Sequence, residues 1–274
     1  MQKDKYLIQT EDLVLTLNSN PAYEFHYGNM NIEYGRFVEI VGPNGSGKST
    51  FLNLLLNYAS HITIKKGSIK ICGEDLFTLK TENVKANIVN INQEEDFIHR
   101  ESLYAYLIRP TKATLEYFSR QERQQKLLEL EEHVTKIYDT IIAPMIYKAN
   151  SKHSLKNVKD KIQFKYLSRF SSLSGGQQKI MHILQGVLKA CFCKYPLVLL
   201  DEPLNNLDKE NKKLLIKIIQ NLRNERPEML FLIVTHCRVF PFIDSKISLT
   251  VETNKTMSYY NVYNDRLVPY NCLD

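Results

Sequence analysis

The sequence predicts an α/β protein with a mostly parallel sheet that is covered by helices on both faces. Three observations predict it: short apolar runs of strand length, stretches of helical spacing between them, and a glycine-rich turn that joins one such run to a helix. Strands that alternate with helices along a chain form parallel sheets buried on both sides. The predicted strands are Phe37–Val41, Ile69–Ile71, Ala86–Ile91, Leu197–Leu200, Met229–Val234 and Lys246–Val251.

The middle of the sequence, from about Glu101 to Phe170, predicts a helical insertion. It contains no convincing buried strand, and its apolar residues recur at helical spacing: Leu127, Leu130, Val134, Ile137, Tyr138 and Ile141. The lysine-rich stretch Lys148–Lys165 predicts an exposed loop or a short helix. Because aromatic residues are almost absent from this stretch, we favour a solvated linker over a nucleic-acid site, and we expect no nucleic acid as a partner.

The composition fits a globular protein with a sizeable core. The chain has 274 residues and a formal net charge of +6, and no run approaches the roughly 18 to 20 apolar residues of a membrane-spanning helix. The N-terminus lacks the apolar segment of a secretory signal, which predicts a cytoplasmic protein. The five cysteines show no paired spacing, so we interpret them as reduced thiols, with Cys191 and Cys193 as packing residues rather than a metal pair.

A glycine-rich turn follows the first predicted strand of the parallel sheet. The segment Gly42-Pro-Asn-Gly-Ser-Gly-Lys-Ser49 lies between Phe37–Val41 and the predicted helix Thr50–Tyr58, the context in which such a turn binds phosphate through backbone N–H groups and a helix N-terminus. Lys48 is predicted to reach the β and γ phosphates, and the Ser49 hydroxyl to ligate Mg²⁺. The predicted nucleotide-binding residues here are Gly42, Pro43, Asn44, Gly45, Ser46, Gly47, Lys48, Ser49 and Thr50.

Two acidic residues end a later apolar strand, in Leu197-Val-Leu-Leu-Asp-Glu-Pro203. The carboxyl edge of an open α/β sheet is where ligands bind, and adjacent residues of a strand point to opposite sides. Asp201 is predicted to hold the hydrated Mg²⁺. Glu202 is predicted to polarise the attacking water, as a general base must.

The segment Leu173-Ser-Gly-Gly-Gln177 precedes this strand and opens another predicted helix. With it, the sequence resembles the ATP-binding cassette (ABC) transporter ATPases over nearly its whole length. The motifs of that family occur in order: the phosphate loop, the glutamine loop at Gln93, the signature Leu173–Gln177, the Asp201-Glu202 strand end, and His236 after Val234-Thr235.

The resemblance implies a fold and a domain organisation. It implies a P-loop NTPase core with a mostly parallel sheet, an N-terminal antiparallel β subdomain and an inserted helical subdomain. Residues 1–274 are then one ABC ATPase domain, in which 1–93 and about 190–274 form the core with its β subdomain. Residues from about 94 to 189 form the helical signature subdomain.

The resemblance also implies residue roles and partners. Two such chains, identical or different, are expected to sandwich two ATP molecules, with Ser174, Gly175, Gly176 and Gln177 of one chain against the γ-phosphate held by the other. A helix start with small residues suits an anion because it offers bare N–H groups and a positive dipole end. Gln93 is expected to ligate the metal and sense the water, His236 to contact the γ-phosphate, and Asp208 to communicate across the dimer.

The sequence also departs from the family pattern. An aromatic residue that stacks on adenine is expected near Leu17–Asn20, where none occurs, and Tyr23 is the nearest candidate. The usual arginine after the signature is replaced in Gln178-Lys-Ile-Met181, and Asn205-Asn206 stand where small residues are commoner.

These motifs predict a Mg²⁺-dependent ATPase. The leading hypothesis is the ATPase subunit of a multi-chain ABC transporter, bound to integral membrane permease subunits on the cytoplasmic face of the inner membrane. The alternative is a non-transport ABC ATPase such as an iron-sulfur assembly factor, since that class also consists of single cassettes. The sequence leaves the cargo, the direction of transport and the identity of the permease open.

Overall fold

The architecture is described from a computed structural model. It describes residues 5–56, 62–80, 84, 87–91, 101–147, 153–205, 207–235, 240–249 and 262–263. The chain divides into two compact units. The first comprises residues 1–93, 194–203 and 223–274, and the second comprises residues 94–193 and 204–222. In the structure, residues 204–222 therefore group with the helical unit, whereas the sequence-based division assigns them to the core.

The first unit begins with a four-stranded antiparallel sheet of order β2-β1-β4-β5. Its strands are β1 (Tyr6–Leu17), β2 (Asn20–Glu33), β4 (Ile62–Ile71) and β5 (Glu74–Asp75). This confirms the expected antiparallel β subdomain, and the predicted strand Ile69–Ile71 is the end of β4. The long strand β1 escaped residue-level prediction because it is irregular: Asp12 has a positive φ of 45°, and the pairing with β2 shifts between Thr10 and Leu13, which breaks the alternation of a regular strand.

The six-stranded sheet of the first unit has the order β10-β9-β3-β8-β7-β6. Its strands are β3 (Phe37–Val41), β6 (Val89–Ile91), β7 (Leu197–Asp201), β8 (Leu230–Val234), β9 (Ser245–Ser248) and β10 (Val262–Tyr263). Neighbouring strands are parallel except for the β9–β10 pair. The predicted mostly parallel sheet is therefore confirmed.

Strand bounds differ from prediction mainly at the strand ends. Strand β3 has the predicted bounds, β7 extends to Asp201, and β6 starts at Val89 because Asn87 belongs to a helical turn. The predicted strand Lys246–Val251 is seen as β9, and its last two residues lie outside the described part of the chain.

Both sheets of the first unit share one apolar core. It unites Leu7, Leu15 and Phe25 of the antiparallel sheet with Val38, Leu199 and Leu232 of the parallel sheet, all nearly inaccessible to solvent. Helix α1 (Lys48–Leu55) joins this core through its buried Phe51, Leu52, Leu54 and Leu55. Burial on both faces explains why the central strands are continuous apolar runs.

The second unit is helical, as the inserted segment predicts. Its helices are α2 (Leu103–Leu115), α3 (Arg120–Ile137), α4 (Ala143–Tyr147), α5 (Val158–Ile162), α6 (Gly175–Ala190) and α7 (Lys209–Glu225), the last of which ends in the first unit. π-helical turns follow α3 at Tyr138–Ile142 and α5 at Gln163–Leu167. The first of these turns shifts the buried stripe, so that Ile142 is buried rather than the predicted Ile141.

Two further sequence expectations concern membranes and thiols. Among the described residues, no helix combines the length and the apolar character needed to cross a membrane. Cys72, Cys191 and Cys193 form no disulfide within the described structure, and Cys237 and Cys272 lie outside it.

Candidate functional site: a phosphate-binding cavity

The glycine-rich turn lies where the sequence predicts it, between β3 and α1. Its last residue, Gly47, has a φ of 90° and precedes the first residue of α1. Within the described residues, no side chain caps the N-terminus of α1, and its first turn contains no acidic residue. The N–H groups of this helix end are therefore available to an anion, and the helix dipole favours one there.

Gly47 is packed against two aromatic residues of the antiparallel sheet. A Cβ at this position would lie 2.6 Å from Cδ1 of Phe25 and 2.7 Å from the hydroxyl of Tyr27. The Tyr27 hydroxyl donates a hydrogen bond to the Gly47 carbonyl oxygen at 2.8 Å. The shape of the turn therefore depends on residues of β2 as well as on its own glycines.

Lys48 lies largely buried beneath the turn, with 8% of its surface exposed. Its Nζ donates hydrogen bonds to the carbonyl oxygens of Gly42 at 2.8 Å and Pro43 at 2.9 Å. Burial lowers the pKa of the ammonium group, and the nearby carboxylates of Glu202 and Asp201 oppose that shift. The site thus combines a cation held by carbonyl groups with two acidic side chains close enough to act on it electrostatically.

The two acidic residues follow one another at the end of β7. Asp201 is the last residue of the strand, and Glu202 adopts a φ of 45°, which is uncommon for residues other than glycine. The backbone N–H of Glu202 donates to the Val234 carbonyl oxygen at 2.8 Å, which holds this conformation against β8. Residues held in sparsely populated backbone conformations often belong to functional sites.

These elements line an open cavity of about 550 Å³, a size typical of small-molecule sites. Lys48, Ser49 and Glu202 line it together, as the motifs predict. Its full lining is Leu17, Phe25, Asn44, Gly45, Gly47, Lys48, Ser49, Thr50, Glu202 and Val234.

Two apolar lining residues, Leu17 and Phe25, were not identified from the sequence. They come from β1 and β2. Leu17 begins the stretch Leu17–Asn20, near which the resemblance implies an adenine-stacking residue, whereas no motif marks Phe25. The predicted adenine-stacking candidate, Tyr23, belongs to β2, but its side chain lies outside the described part of the structure.

The signature segment forms the start of α6 in the second unit. The Ser174 hydroxyl accepts a hydrogen bond from the Gln177 N–H at 3.4 Å, and Gln177 Oε1 accepts one from the Ser174 N–H at 3.0 Å. This reciprocal capping box fixes the start of the helix. Gly175 is open, with no described atom within 4 Å of an added Cβ, whereas a Cβ on Gly176 would lie 2.8 Å from Asn211 Nδ2.

Asn211 connects the signature to Asp208 within the second unit. The Asn211 N–H donates to Asp208 Oδ1 at 2.8 Å, and its side-chain amide donates to Asp208 Oδ2 at 3.0 Å. The Lys179 ammonium group donates to the carbonyl oxygen of Asn205, next to this site in sequence. Sequence reasoning missed Asn211 because no motif of the family marks it.

The structure therefore assembles the predicted site residues in two groups. The first unit contains the turn Gly42–Thr50 with Asp201 and Glu202, and the second unit contains Ser174–Gln177 with Asp208. The predicted residues Gln93 and His236, and Asn206, lie outside the described residues.

The parallel sheet and the cavity at its carboxyl edge define a P-loop α/β nucleotide-binding protein. A family model described as "ABC transporter" matches residues 25–205, more than half of the sequence. The chain belongs to the ABC transporter family and is an ATP-binding ATPase domain of that family.

Proteins similar to this chain include one that is much longer. A "Probable ABC transporter ATP-binding/permease protein" of Haemophilus influenzae is 28% identical over 208 residues, which cover 76% of this chain and 31% of that protein. The chain thus spans only a minor part of this much longer relative.

Solved structures of separate cassettes are similar over most of their length. The "ATP binding subunit of ABC transporter" superposes with a TM-score of 0.64 at 19% identity, covering 91% of this chain and 90% of the other. A dimeric post-hydrolysis state of the ATP-binding cassette MJ0796, bound to ADP and Pi, gives a TM-score of 0.58 at 20% identity and covers 91% and 98% of the two chains. Both likenesses concern the fold.

Proposed function

We propose that this chain is the ATP-hydrolysing subunit of a multi-chain ABC transporter and powers substrate movement through a separate membrane permease. The proposed ATP hydrolysis rests on one observation: Lys48, Ser49 and Glu202 line the same cavity. A phosphate-binding cation and a carboxylate beside one helix N-terminus are the groups that phosphoanhydride hydrolysis needs.

Lys48 and the turn bind the triphosphate in this proposal. In the structure, Lys48 Nζ donates to two carbonyl oxygens of the turn. Hydrogen bonds from this ammonium group to charged phosphate oxygens are stronger than those to neutral carbonyl oxygens. The backbone N–H groups of the turn and of the α1 N-terminus complete the cradle. The cation and the N–H groups together stabilise the negative charge that develops on the phosphoryl group.

Glu202 acts as the general base. Its carboxylate lines the same cavity as Lys48 and Ser49, so a water between it and the terminal phosphate lies within reach of proton transfer. His236 is proposed to contact the γ-phosphate and Gln93 to position the water, on the strength of their places in the family pattern.

Ser49 and Asp201, with Gln93, are proposed to hold Mg²⁺. The donors fit this ion, because Ser49 is exposed to the cavity and Asp201 lies close enough to Lys48 to act on its pKa, and Mg²⁺ prefers hard oxygen ligands. When bound, Mg²⁺ neutralises charge on the phosphate oxygens.

The complete site is proposed to require two chains. Ser174, Gly175, Gly176 and Gln177 of one chain contact the γ-phosphate bound by the other, and Asp208 couples the two sites. A cassette of similar fold is dimeric with ADP and Pi bound, which supports the dimer itself; the residue contacts follow the family pattern. ATP then favours the closed dimer over the open one through its differential affinity for the two states.

The permease is proposed to be a separate chain, which places this protein on the cytoplasmic face of the membrane. The proposal is motivated by the name of a protein of similar fold, which is described as the ATP binding subunit of an ABC transporter. The Haemophilus protein combines ATP-binding and permease parts in one chain. Experiment must therefore test whether the permease of this protein is a separate chain.

The catalytic assignment is tested with Glu202→Gln. We expect turnover to fall by about 10²-fold or more, while binding of a fluorescent ATP analogue is retained because Lys48 and the turn are unchanged. Lys48→Ala should lose binding as well. Glu210→Gln, at a side chain that is 83% exposed, serves as the matched control and should hydrolyse ATP like the parent. Parental turnover in Glu202→Gln overturns the assignment of the base.

The transporter assignment is tested by purification. The tagged Glu202→Gln chain is isolated with Mg-ATP from detergent-solubilised native membranes, and its partners are identified by mass spectrometry. A stoichiometric multi-span membrane protein supports the proposal. Exclusive recovery with non-membrane partners overturns it in favour of an assembly ATPase.

A further inference from the structure

The exposed side of α5 and the π-helical turn after it carries four large apolar side chains. Val158 is 71% exposed, Ile162 48%, Tyr166 66% and Leu167 65%. We refer to these four residues as the α5 surface. Scattered exposed apolar residues are ordinary, but a group of four within ten residues of one helical segment requires an explanation.

The backbone aligns these residues on one side of the segment. Val158, Ile162 and Tyr166 are spaced four residues apart, which places successive members on one face of a helix. A turn of α-helix contains about 3.6 residues, so side chains spaced four residues apart in a continuous α-helix are each rotated slightly further around the axis. The π-helical turn at Gln163–Leu167 contains more residues per turn and reduces that rotation. Such turns occur frequently at functional sites.

The opposite side of the segment is anchored in the second unit. Phe164 is 1% exposed, with its ring centroid 4.7 Å from that of Tyr138 and 5.8 Å from that of Tyr104. Asp160 is 5% exposed and accepts hydrogen bonds from the Ser154 N–H at 3.0 Å and from His153 Nδ1 at 3.0 Å. The segment is therefore held rigidly with its apolar row towards solvent.

Most of the charged residues around the α5 surface are basic, although Lys161 lies close enough to Glu131 of α3 to interact with it electrostatically. Lys156, Lys159, Lys161 and Arg169 are exposed. Asp160, the one acidic residue between His153 and Arg169, is buried and accepts hydrogen bonds from His153 and Ser154. Lys165 lies against Glu131 and over the ring of Tyr104, so it belongs to the anchored side. The solvent-facing side thus combines an apolar row with flanking cationic groups.

We propose that the α5 surface binds an anionic lipid bilayer, with its apolar side chains in the headgroup boundary and Lys156, Lys159 and Lys161 against the headgroups. An apolar stripe flanked by lysines is the pattern of helices that lie in the membrane interface, and a tyrosine at its edge suits that boundary. Lysine is depleted in protein–protein interfaces, which favours a lipid over a protein occupant. This site goes beyond ATP hydrolysis and gives the chain a membrane contact of its own.

The lysine stems strengthen the case for a bilayer. A lysine side chain can lay its methylene groups along apolar surface while its ammonium group reaches the phosphate level. Basic residues are attracted to an anionic membrane only within about a Debye length of its surface. The electrostatic contribution to binding therefore weakens as salt is added. The apolar contribution does not weaken in the same way, and the two are therefore separable by experiment.

The test is cosedimentation of the full chain, without nucleotide, with vesicles of phosphatidylcholine alone or mixed with phosphatidylglycerol. We expect binding to the anionic vesicles that falls with salt, and little binding to phosphatidylcholine. Lys159→Glu with Lys161→Glu should lower partitioning by about tenfold or more. Val158→Ser with Ile162→Ser should also lower it, and the loss should persist at a salt concentration that screens the lysines.

The matched control is Lys213→Glu with Lys217→Glu, which makes the same charge change at exposed positions of α7. It should keep its binding within about twofold, because membrane attraction decays within a Debye length of the contact. Unchanged helicity and basal ATPase activity in every variant exclude misfolding as the cause.

Three outcomes overturn the proposal. They are equal binding to both kinds of vesicle, equal loss in the α7 control, and binding only to vesicles that carry a membrane protein partner, which would assign the α5 surface to a protein contact. Because no nucleotide is present, failure here leaves the proposed ATPase mechanism unaffected.

Discussion

The Tyr27 hydroxyl donates a hydrogen bond of 2.8 Å to the carbonyl oxygen of Gly47 and so joins the antiparallel sheet to the last residue of the phosphate-binding turn. Tyr27 is 1% exposed, and its ring centroid lies 5.0 Å from that of Phe51 on α1. Burial raises the pKa of the Tyr27 hydroxyl far above its ordinary value, so the group remains a protonated donor. The β subdomain therefore positions the turn directly.

Tyr27→Phe tests this relationship. The Gly47 carbonyl oxygen would keep the N–H of Phe51 at 2.9 Å but lose its second partner, so we expect the free energy of unfolding to fall by about 1 kcal/mol. The KM for ATP should rise, because the turn loses a positioning contact. Urea denaturation and steady-state ATPase assays provide the two values.

Tyr117→Phe is the control for that substitution, since Tyr117 is 51% exposed and its change removes the same atom. Its stability should match the parent. An equal loss in both variants would contradict a specific role for the Tyr27 hydroxyl.

Gly47→Ala should damage both folding and nucleotide binding. The φ of 90° is strained for alanine, and the new Cβ would overlap the Phe25 ring at 2.6 Å. Gly175→Ala is the matched control for stability, because no described atom lies within 4 Å of a Cβ there. Thermal melts should show a clear loss for Gly47→Ala and none for Gly175→Ala. A parental melting temperature and ATP affinity for Gly47→Ala would contradict the packing described.

Asn211→Ala should lower ATPase turnover more than ATP affinity. The side-chain amide donates to Asp208 Oδ2 at 3.0 Å, and its nitrogen would lie 2.8 Å from a Cβ on Gly176. Its loss leaves Asp208 with the Asn211 backbone N–H alone, at 2.8 Å from Oδ1, and so loosens the carboxylate. The comparison is kcat against KM over a range of ATP concentrations. Asn221→Ala, at an exposed position of the same helix, should leave both constants unchanged. A rise in KM alone would argue against this role of Asn211.

Low pH should lower the free energy of unfolding, in part because Asp160 becomes protonated. The hydrogen bond from His153 holds the pKa of Asp160 below its ordinary value, with the Ser154 N–H adding to the effect. A carboxyl group with a lowered folded-state pKa contributes stability above its unfolded pKa of about 3.9, and that contribution is lost as the pH falls through the lower folded-state pKa.

Urea denaturation midpoints at pH 7 and at about pH 3 test this with Asp160→Asn. The parent should be more stable than the variant at neutral pH, and the difference should shrink in acid. His153→Gln should reduce the same pH dependence, because it removes the largest cause of the shift. A parent–variant difference that stays constant between the two pH values would contradict the prediction.

Local patterns were sufficient to predict much of this protein. The parallel strands are apolar runs because they are buried on both faces, and the run Phe37–Val41 was predicted with its observed bounds. The glycine-rich turn was predicted for a similar reason, since its spacing reflects the backbone geometry of a single short segment. The carboxylates at the end of β7 were predicted to lie beside it because parallel strands end at one edge of the sheet.

Contacts between distant segments could not be predicted in this way. Phe25 lines the cavity because β2 packs against α1, and nothing in its local sequence marks it. The resemblance pointed to the neighbourhood of Leu17, but it did not predict that the leucine itself lines the cavity. Strand β1 was not predicted because its irregular pairing interrupts the alternation of apolar and polar residues that marks a regular strand. The lysine-rich stretch Lys148–Lys165 was predicted to be an exposed loop or a short helix, and its described part does contain the short helix α5. The apolar side chains on the exposed side of that helix were not predicted.

The sequence by itself determined the fold class, because apolar runs and helical spacing are local properties of the backbone. It also determined the family, through a resemblance carried by short motifs that occur in order along the chain. Only the tertiary structure decided which aromatic residues support the turn, that Asn211 holds Asp208, and which side of α5 faces solvent. Those outcomes depend on strand register, on a π-helical turn and on packing between residues far apart in sequence. No regular spacing of apolar residues along the sequence predicts these contacts.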